Sequence, residues 1–259
     1  LRQYSLLVLV GAVHPVAQFG YADGPSSLVP EATRLLALDF VDLEGAVTHL
    51  ASLLPAAPPP AASPPAAPPA APPPAVRPTG KLSASKLCQL VAQLQPAEAI
   101  VVDESLTSGS AYWDASEHSA PFAHLTLTGG AIGQGPPTAV GAAVACPARR
   151  VINLQADGSG LYTAQALWTQ AREQLAVTTV VCANHAYNIL KLELARQKPR
   201  HGGKGALVDR LTNLQQPSID WVKLAGGYGV PAVAVSTAED FAREFGSALQ
   251  ADGPPPKQP

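Results

Sequence analysis

The chain has 259 residues, 47% of them hydrophobic, and a formal net charge of −2. That length and apolar share suit one large or two small domains with a sizeable core. The near-neutral charge excludes nucleic acid as the expected partner. No stretch is long and apolar enough to read as a membrane-spanning helix, and no signal peptide is evident.

Cys88, Cys146 and Cys182 lack metal-ligand spacing and read as reduced thiols of a cytoplasmic protein. There is no methionine and the chain begins at Leu1, so it reads as a piece of something longer. In the first region Leu6–Val10 reads as a buried strand and Leu35–Leu38 as a second. Leu43, Val47, Leu50 and Leu54 follow at helical spacing, and His14 and His49 read as surface or packing residues. Pro55–Pro78 is a Pro/Ala run that supports neither a ladder nor a helix and reads as a spacer.

The next helix is predicted from a Ser83 or Ser85 cap to about Leu94, with Leu87, Leu90, Val91 and Leu94 inward. Ala99–Val102 reads as a strand whose carboxyl end carries Asp103-Glu104-Ser105-Leu106-Thr107-Ser108-Gly109, with Glu104 as a structural partner. A glycine-rich turn, Thr128–Gly135, precedes a helix over Thr138–Ala145 opened by Pro136 and Pro137.

Val151–Gln155 reads as a strand and Ala156–Gly160 as a turn-forming loop. Leu161, Ala164, Trp168, Ala171 and Leu175 are predicted to share one helix face, and Val177–Cys182 is a second strand followed by Asn184. A β–loop–α–β unit is a right-handed crossover between parallel strands. It puts Asp157 and Asn184 at the carboxyl edge of the sheet, where open α/β folds bind ligands. An aspartate, an amide oxygen and a loop carbonyl are hard oxygen donors of the kind Mg²⁺ shares with a diphosphate. Gly158, Ser159 and Gly160 offer N–H groups to an anion.

These residues carry a family resemblance. Asp157-Gly158-Ser159 followed at this distance by Asn184 resembles the fingerprint of thiamine diphosphate (ThDP) enzymes. Val102–Gly109, Leu127–Gly135, Asp157–Glu173, Asn184–Arg196 and Asp220–Ala232 together resemble the acetolactate synthase large-subunit-like branch. The resemblance implies a doubly wound parallel α/β sheet preceded by a partial α/β central domain. The expected organisation is 1–54 as the end of the central domain, 55–80 as linker, 81–253 as the diphosphate- and Mg²⁺-binding domain, and 254–259 as tail.

It implies that Asp157, Asn184 and the Ala186 carbonyl hold Mg²⁺. Gly158 and Ser159 would hold the diphosphate of ThDP, approached by Thr107 and Ser108. The Gly130 carbonyl would meet the aminopyrimidine, and Ile132 would be the wedge that bends the cofactor. The implied reaction is decarboxylation of a 2-oxo acid such as pyruvate, with or without ligation to a second carbonyl. His185 reads as loop-fixing or solvent-facing, Ile189–Arg196 as a helix lining the substrate mouth, and Gly202–Gly205 as a mobile loop or lid. Ile219–Ala225 reads as a helix ended by Gly226–Gly229, Ala232–Val235 as a strand and Ala238–Leu249 as a helix.

Three departures stand out. Ala156 replaces the leading glycine of the fingerprint, at a cost of roughly 1 kcal/mol if that position needs positive φ. The proline-rich end at Gly253–Pro259 falls where the family places a closing strand. No catalytic residue is assignable, because the glutamate that activates the aminopyrimidine belongs to a pyrimidine domain that the family brings across a dimer interface. The chain alone is therefore expected to be inactive, and to work as a homo-dimer or tetramer or beside a partner chain. The alternatives are one subunit of a split decarboxylase and a degenerate structural or interaction protein. Generic dinucleotide binding is weaker, because no acidic ribose ligand is placed.

Overall fold

The structure, a computed structural model, describes residues 1, 3–17, 20, 24–40, 42–55, 76–196 and 205–251. It divides into two compact units, Leu1–Pro72 and Pro73–Pro259. Most of the Pro/Ala spacer, residues 202–204 of the expected loop or lid, and the tail at 254–259 lie outside the described residues.

In the first unit, β1 (Leu6–Val10) and β2 (Arg34–Leu38) pair in parallel with Leu6 opposite Arg34, and α1 (Leu43–Leu53) follows. Asp42 caps α1 by accepting the Gly45 N–H at 2.9 Å. The expectation that β1 is buried does not hold within this unit. Leu9 is covered, but Leu6, Val8 and Val10 are 42–49% exposed, since a two-stranded sheet with one helix covers few of its side chains. His14 bonds the Ser27 hydroxyl at 2.8 Å, in keeping with a surface role.

The second unit starts with α2 (Ala84–Leu94), capped by Ser83, whose hydroxyl accepts from the Lys86 N–H. Next come β3 (Ile100–Glu104), α3 (Tyr112–Ala115), β4 (Ala123–Thr126), α4 (Gly135–Ala145), β5 (Val151–Ala156), α5 (Asp157–Gly160), α6 (Ala166–Arg172) and β6 (Val177–Cys182). The unit continues with α7 (Asn188–Arg196), α8 (Gly205–Thr212), α9 (Trp221–Gly227, capped by Asp220) and α10 (Ala238–Gln250, capped by Thr237).

The four strands form one parallel sheet in the order β4-β3-β5-β6. Side chains alternate across it. On one face Val101, Ile152, Leu154 and Val180 pack with Leu87, Leu90 and Val91 of α2 and with Phe241 and Phe245 of α10. On the other, Ile100, Val102 and Val151 pack against Ala139 and Ala143 of α4, whose small side chains allow close approach. Helices on both faces make the sheet doubly wound, as the sequence implied. After β3 the chain moves outward to β4, then crosses back to β5 on the other side. The loops after β3 and β5 therefore part at a topological switch point, where this architecture opens a crevice.

Four expected elements differ. The 161–175 helix is shorter and rotated: α6 begins at Ala166, the buried positions are Ala164, Leu167 and Gln170, and Trp168 is 51% exposed. The Thr163 hydroxyl donates to the Gly133 carbonyl at 2.6 Å, and turn bonds occupy the start of the segment, so the helix cannot begin at Leu161. The loop Ala156–Gly160 is instead the end of β5 and one helical turn. Ala232–Val235 is not a strand; Val235 packs against the larger core, and just beyond it Thr237 forms an antiparallel bridge with Lys81. Gly205, placed in the expected loop, opens α8.

Leu90 is fully buried at the centre of the larger core. Leu90→Ala is expected to lower stability by about 2–5 kcal/mol in urea denaturation. A loss below about 1 kcal/mol would contradict this packing.

Candidate active site

β5 is buried along its whole length and delivers Asp157, 1% exposed, to the sheet's carboxyl edge. The Asp157 carboxylate accepts the Gly158 N–H at 2.8 Å on Oδ1 and the His185 N–H at 2.6 Å on Oδ2. One carboxylate thus ties the loop after β5 to the loop after β6. Burial pushes the Asp157 carboxyl above the ordinary carboxylate range, and the two amides offset this only in part. A cation at the free lone pairs would favour the charged form.

Asn184 follows β6, and its Oδ1 accepts the Ala186 N–H at 2.9 Å, folding the loop as an Asx turn. His185 sits in the left-handed region at φ +56, a conformation that costs a non-glycine residue roughly 1–2 kcal/mol. It is held there from both sides: its N–H bonds Asp157, and its carbonyl accepts from the Leu214 N–H at 2.9 Å. The Tyr187 N–H donates to the Thr212 carbonyl at 2.8 Å. His185 fixes the loop through its backbone, and residues 212–214 brace it.

Thr107, Gly158, Ser159, Asn184 and Ala186 come together around one small cavity at the switch point, with Leu106, Ala156 and Tyr187. It holds about 10 Å³, room for about one water-sized species. That suits an ion; a diphosphate requires the Tyr187 side to give way. Asn188 Nδ2 donates to Thr107 Oγ1 at 3.3 Å, joining the loop after β3 to the start of α7. The Ser159 hydroxyl accepts from Gln155 at 2.7 Å and donates to the Ala156 carbonyl at 3.2 Å.

Asp157 does not itself line this cavity; the donor types beside it, one buried carboxylate, one side-chain amide and one loop carbonyl, are those a hard divalent ion takes. Among the described residues no cluster of three or more His, Cys, Asp or Glu is present.

Other expected residues lie elsewhere. Ser108 is buried and does not line the cavity; its carbonyl accepts from the Cys88 thiol at 3.5 Å. Gly130, at φ +71, and Ile132 also lie outside the cavity lining, in the loop before α4. The Glu104 carboxylate organises that loop by accepting the Gly133 and Gly135 N–H groups. A Cβ at Gly135 would lie 2.7 Å from Glu104 Oε2 and closer to Gln155 Oε1, so glycine is required by contact. Ala156 has φ −77 and ψ 144, ordinary extended backbone. The strain expected from alanine at this position is therefore absent, and with it one argument for a degenerate site.

Two aromatic covers were not foreseen from the sequence. A Cβ on Gly158 would lie 2.5 Å from Tyr187 Cε1, and one on Gly160 2.9 Å from the Trp221 ring. Burial, with Tyr162 and Asp157 nearby, raises the Tyr187 phenol above its usual range. The two covers sit 29 and 61 residues from the glycines they touch (187 − 158 and 221 − 160), so no local pattern could show them. Gly158→Ala is expected to cost about 1–3 kcal/mol in chemical denaturation. Tyr187→Ala in the same chain should recover more than half of that loss. An undiminished cost in the double variant would show that the ring is not the obstacle.

The family model of the thiamine pyrophosphate enzyme C-terminal TPP binding domain matches residues 108–255. A Mycobacterium tuberculosis protein assigned as an acetolactate synthase large subunit is 44% identical over 96% of this chain and 47% of its own length. A benzoylformate decarboxylase of Pseudomonas aeruginosa is 32% identical over 68% of this chain and 31% of its own. The solved ThDP-dependent 4-hydroxybenzoylformate decarboxylase of Rhodococcus jostii superposes with a TM-score of 0.68 at 28% identity, covering 96% of this chain and 47% of that one. The chain spans less than half the length of these relatives. With the model matching more than half of its residues and the Asp157–Asn184 unit at the sheet's switch point, the chain belongs to the thiamine pyrophosphate enzymes and carries their C-terminal, ThDP-binding domain.

Proposed function

We propose that the chain is the diphosphate- and metal-binding part of a ThDP- and Mg²⁺-dependent enzyme that decarboxylates a 2-oxo acid, such as pyruvate, and ligates the product to a second carbonyl in the manner of acetolactate synthase. The observation that carries this reading is the gathering of Thr107, Gly158, Ser159, Asn184 and Ala186 beside the buried Asp157 at one switch-point cavity.

Asp157, Asn184 and the Ala186 carbonyl hold the Mg²⁺. Gly158 and Ser159 hold the diphosphate at the end of β5, with Thr107 contributing from the loop after β3 and Ser108 supporting that loop from the core side. The Gly130 carbonyl and Ile132, on the loop anchored by Glu104, serve the aminopyrimidine end of the cofactor. Bound ThDP supplies the electron sink for the carbon left when CO₂ departs. The residues named here bind and orient it.

Relatives named for benzoylformate and α-keto-acid decarboxylation and for acetolactate synthesis favour a 2-oxo acid substrate. We assign the carboxylate that activates the aminopyrimidine to protein outside these 259 residues: another domain, a second copy in a homo-dimer or tetramer, or a partner chain. A reducing cytoplasmic setting agrees with the three free cysteines. No helix among the described residues is long and apolar enough to cross a membrane.

Calorimetric titration of ThDP is expected to show binding in Mg²⁺, none in EDTA, and at least about tenfold weaker binding in Asp157→Ala. Binding of equal strength in EDTA would overturn the metal assignment. The 259-residue chain alone is expected to release no CO₂ from pyruvate or benzoylformate. Turnover by the purified chain would contradict the assignment of the activating carboxylate elsewhere.

A further inference from the structure

Asp103 is the fourth residue of β3, and its carboxylate serves two neighbours. Oδ1 accepts the Ser105 N–H at 2.9 Å and also the Ser105 hydroxyl, while Oδ2 lies 3.5 Å from His124 Nε2 on β4. A side-chain oxygen taking the N–H two residues on is an Asx turn, which bends the chain sharply as it leaves the strand. The Ser105 carbonyl then accepts the Ser108 N–H at 3.1 Å, closing the loop. Gly109 fits against this knot: a Cβ there would lie 3.2 Å from Asp103 Oδ1 and closer still to the Ser105 hydroxyl.

His124 is wedged in place, stacked on Trp113 at 5.7 Å and edge-on to Tyr112 at 5.5 Å. Burial pushes the Asp103 carboxyl up, but the nearby His124 imidazole and the two Ser105 hydrogen bonds outweigh it and hold the group below the usual range. Thr107, in the middle of this loop, lines the cavity and meets Asn188.

We propose that Asp103 is a positioning residue. Through the Ser105 turn, and backed by His124, it sets the 105–109 loop so that Thr107 lines the cofactor cavity beside Asn184. Its effect on cofactor affinity rests on the function proposed above; its effect on the loop does not.

Two readouts separate these. In amide hydrogen exchange, Asp103→Ala is expected to speed exchange at 106–109 by about tenfold or more while β5 stays protected. In calorimetry the same variant should weaken ThDP binding by about tenfold. Asp103→Asn keeps the Oδ1 acceptor and is expected to return both quantities to within about threefold of wild type. Gly109→Ala forces a methyl into the same knot and should loosen the same amides, so the test does not depend on Asp103→Ala folding.

Unchanged loop exchange in the folded Asp103→Ala or Gly109→Ala variant would overturn the proposal, as would failure of Asp103→Asn to improve on alanine. A wild-type chain that binds no ThDP, yet shows the expected exchange changes, would defeat the proposed function while the loop assignment stands.

Discussion

The candidate site depends on one buried carboxylate. Asp157 leaves the most enclosed strand of the sheet and accepts backbone N–H groups from its own loop and from the loop after β6. That pair of bonds draws two separate loops together and brings Asn184 and Ala186 to the same cavity. The carboxylate is nonetheless ill at ease as an anion: burial raises its pKa despite the two amides. A buried anion with free lone pairs, beside an amide oxygen and a carbonyl, has the chemistry that a hard cation would satisfy.

The sheet order sets that convergence: β5 and β6 are parallel neighbours, so the loops leaving them start side by side at one edge. Because β3 has β4 on one side and β5 on the other, the loops leaving β3 and β5 part there and open the crevice. Two acidic residues at the end of β3 then take different tasks. Asp103 turns the 105–109 loop on itself, while Glu104 reaches the N–H groups of Gly133 and Gly135 and fixes the loop before α4. Glycines occur where the backbone must pass close to another group. Gly135 lies against Glu104, Gly158 under Tyr187, and Gly160 under Trp221.

Much of this was readable beforehand, for physical reasons. Short β-branched and apolar runs mark strands, so β3, β5 and β6 were plain, and Ser83 was one of the two caps offered for α2. The Asp-Gly-Ser and Asn spacing reports a crossover whose two ends meet at one edge, and the family resemblance it carried is borne out. The helix after Gly160 was misread because its leucine and tryptophan spacing is local, whereas its start is set by Thr163 bonding Gly133, thirty residues away. Ala156 looked strained by comparison with a fingerprint, yet a φ of −77 suits any residue. Ser108 carries the right chemistry for a phosphate, but its neighbour Thr107 lines the cavity. Which of two adjacent hydroxyl residues does so follows from the Asp103 turn, which sequence does not display.

The most direct measurement replaces Mg²⁺ with paramagnetic Mn²⁺ in the presence of ThDP and records amide relaxation along the chain. The account predicts selective broadening at Gly158, His185 and Ala186, and its loss in Asp157→Ala. Broadening centred elsewhere, for example along Asp42–His49 of α1, or broadening indifferent to Asp157→Ala, would contradict it.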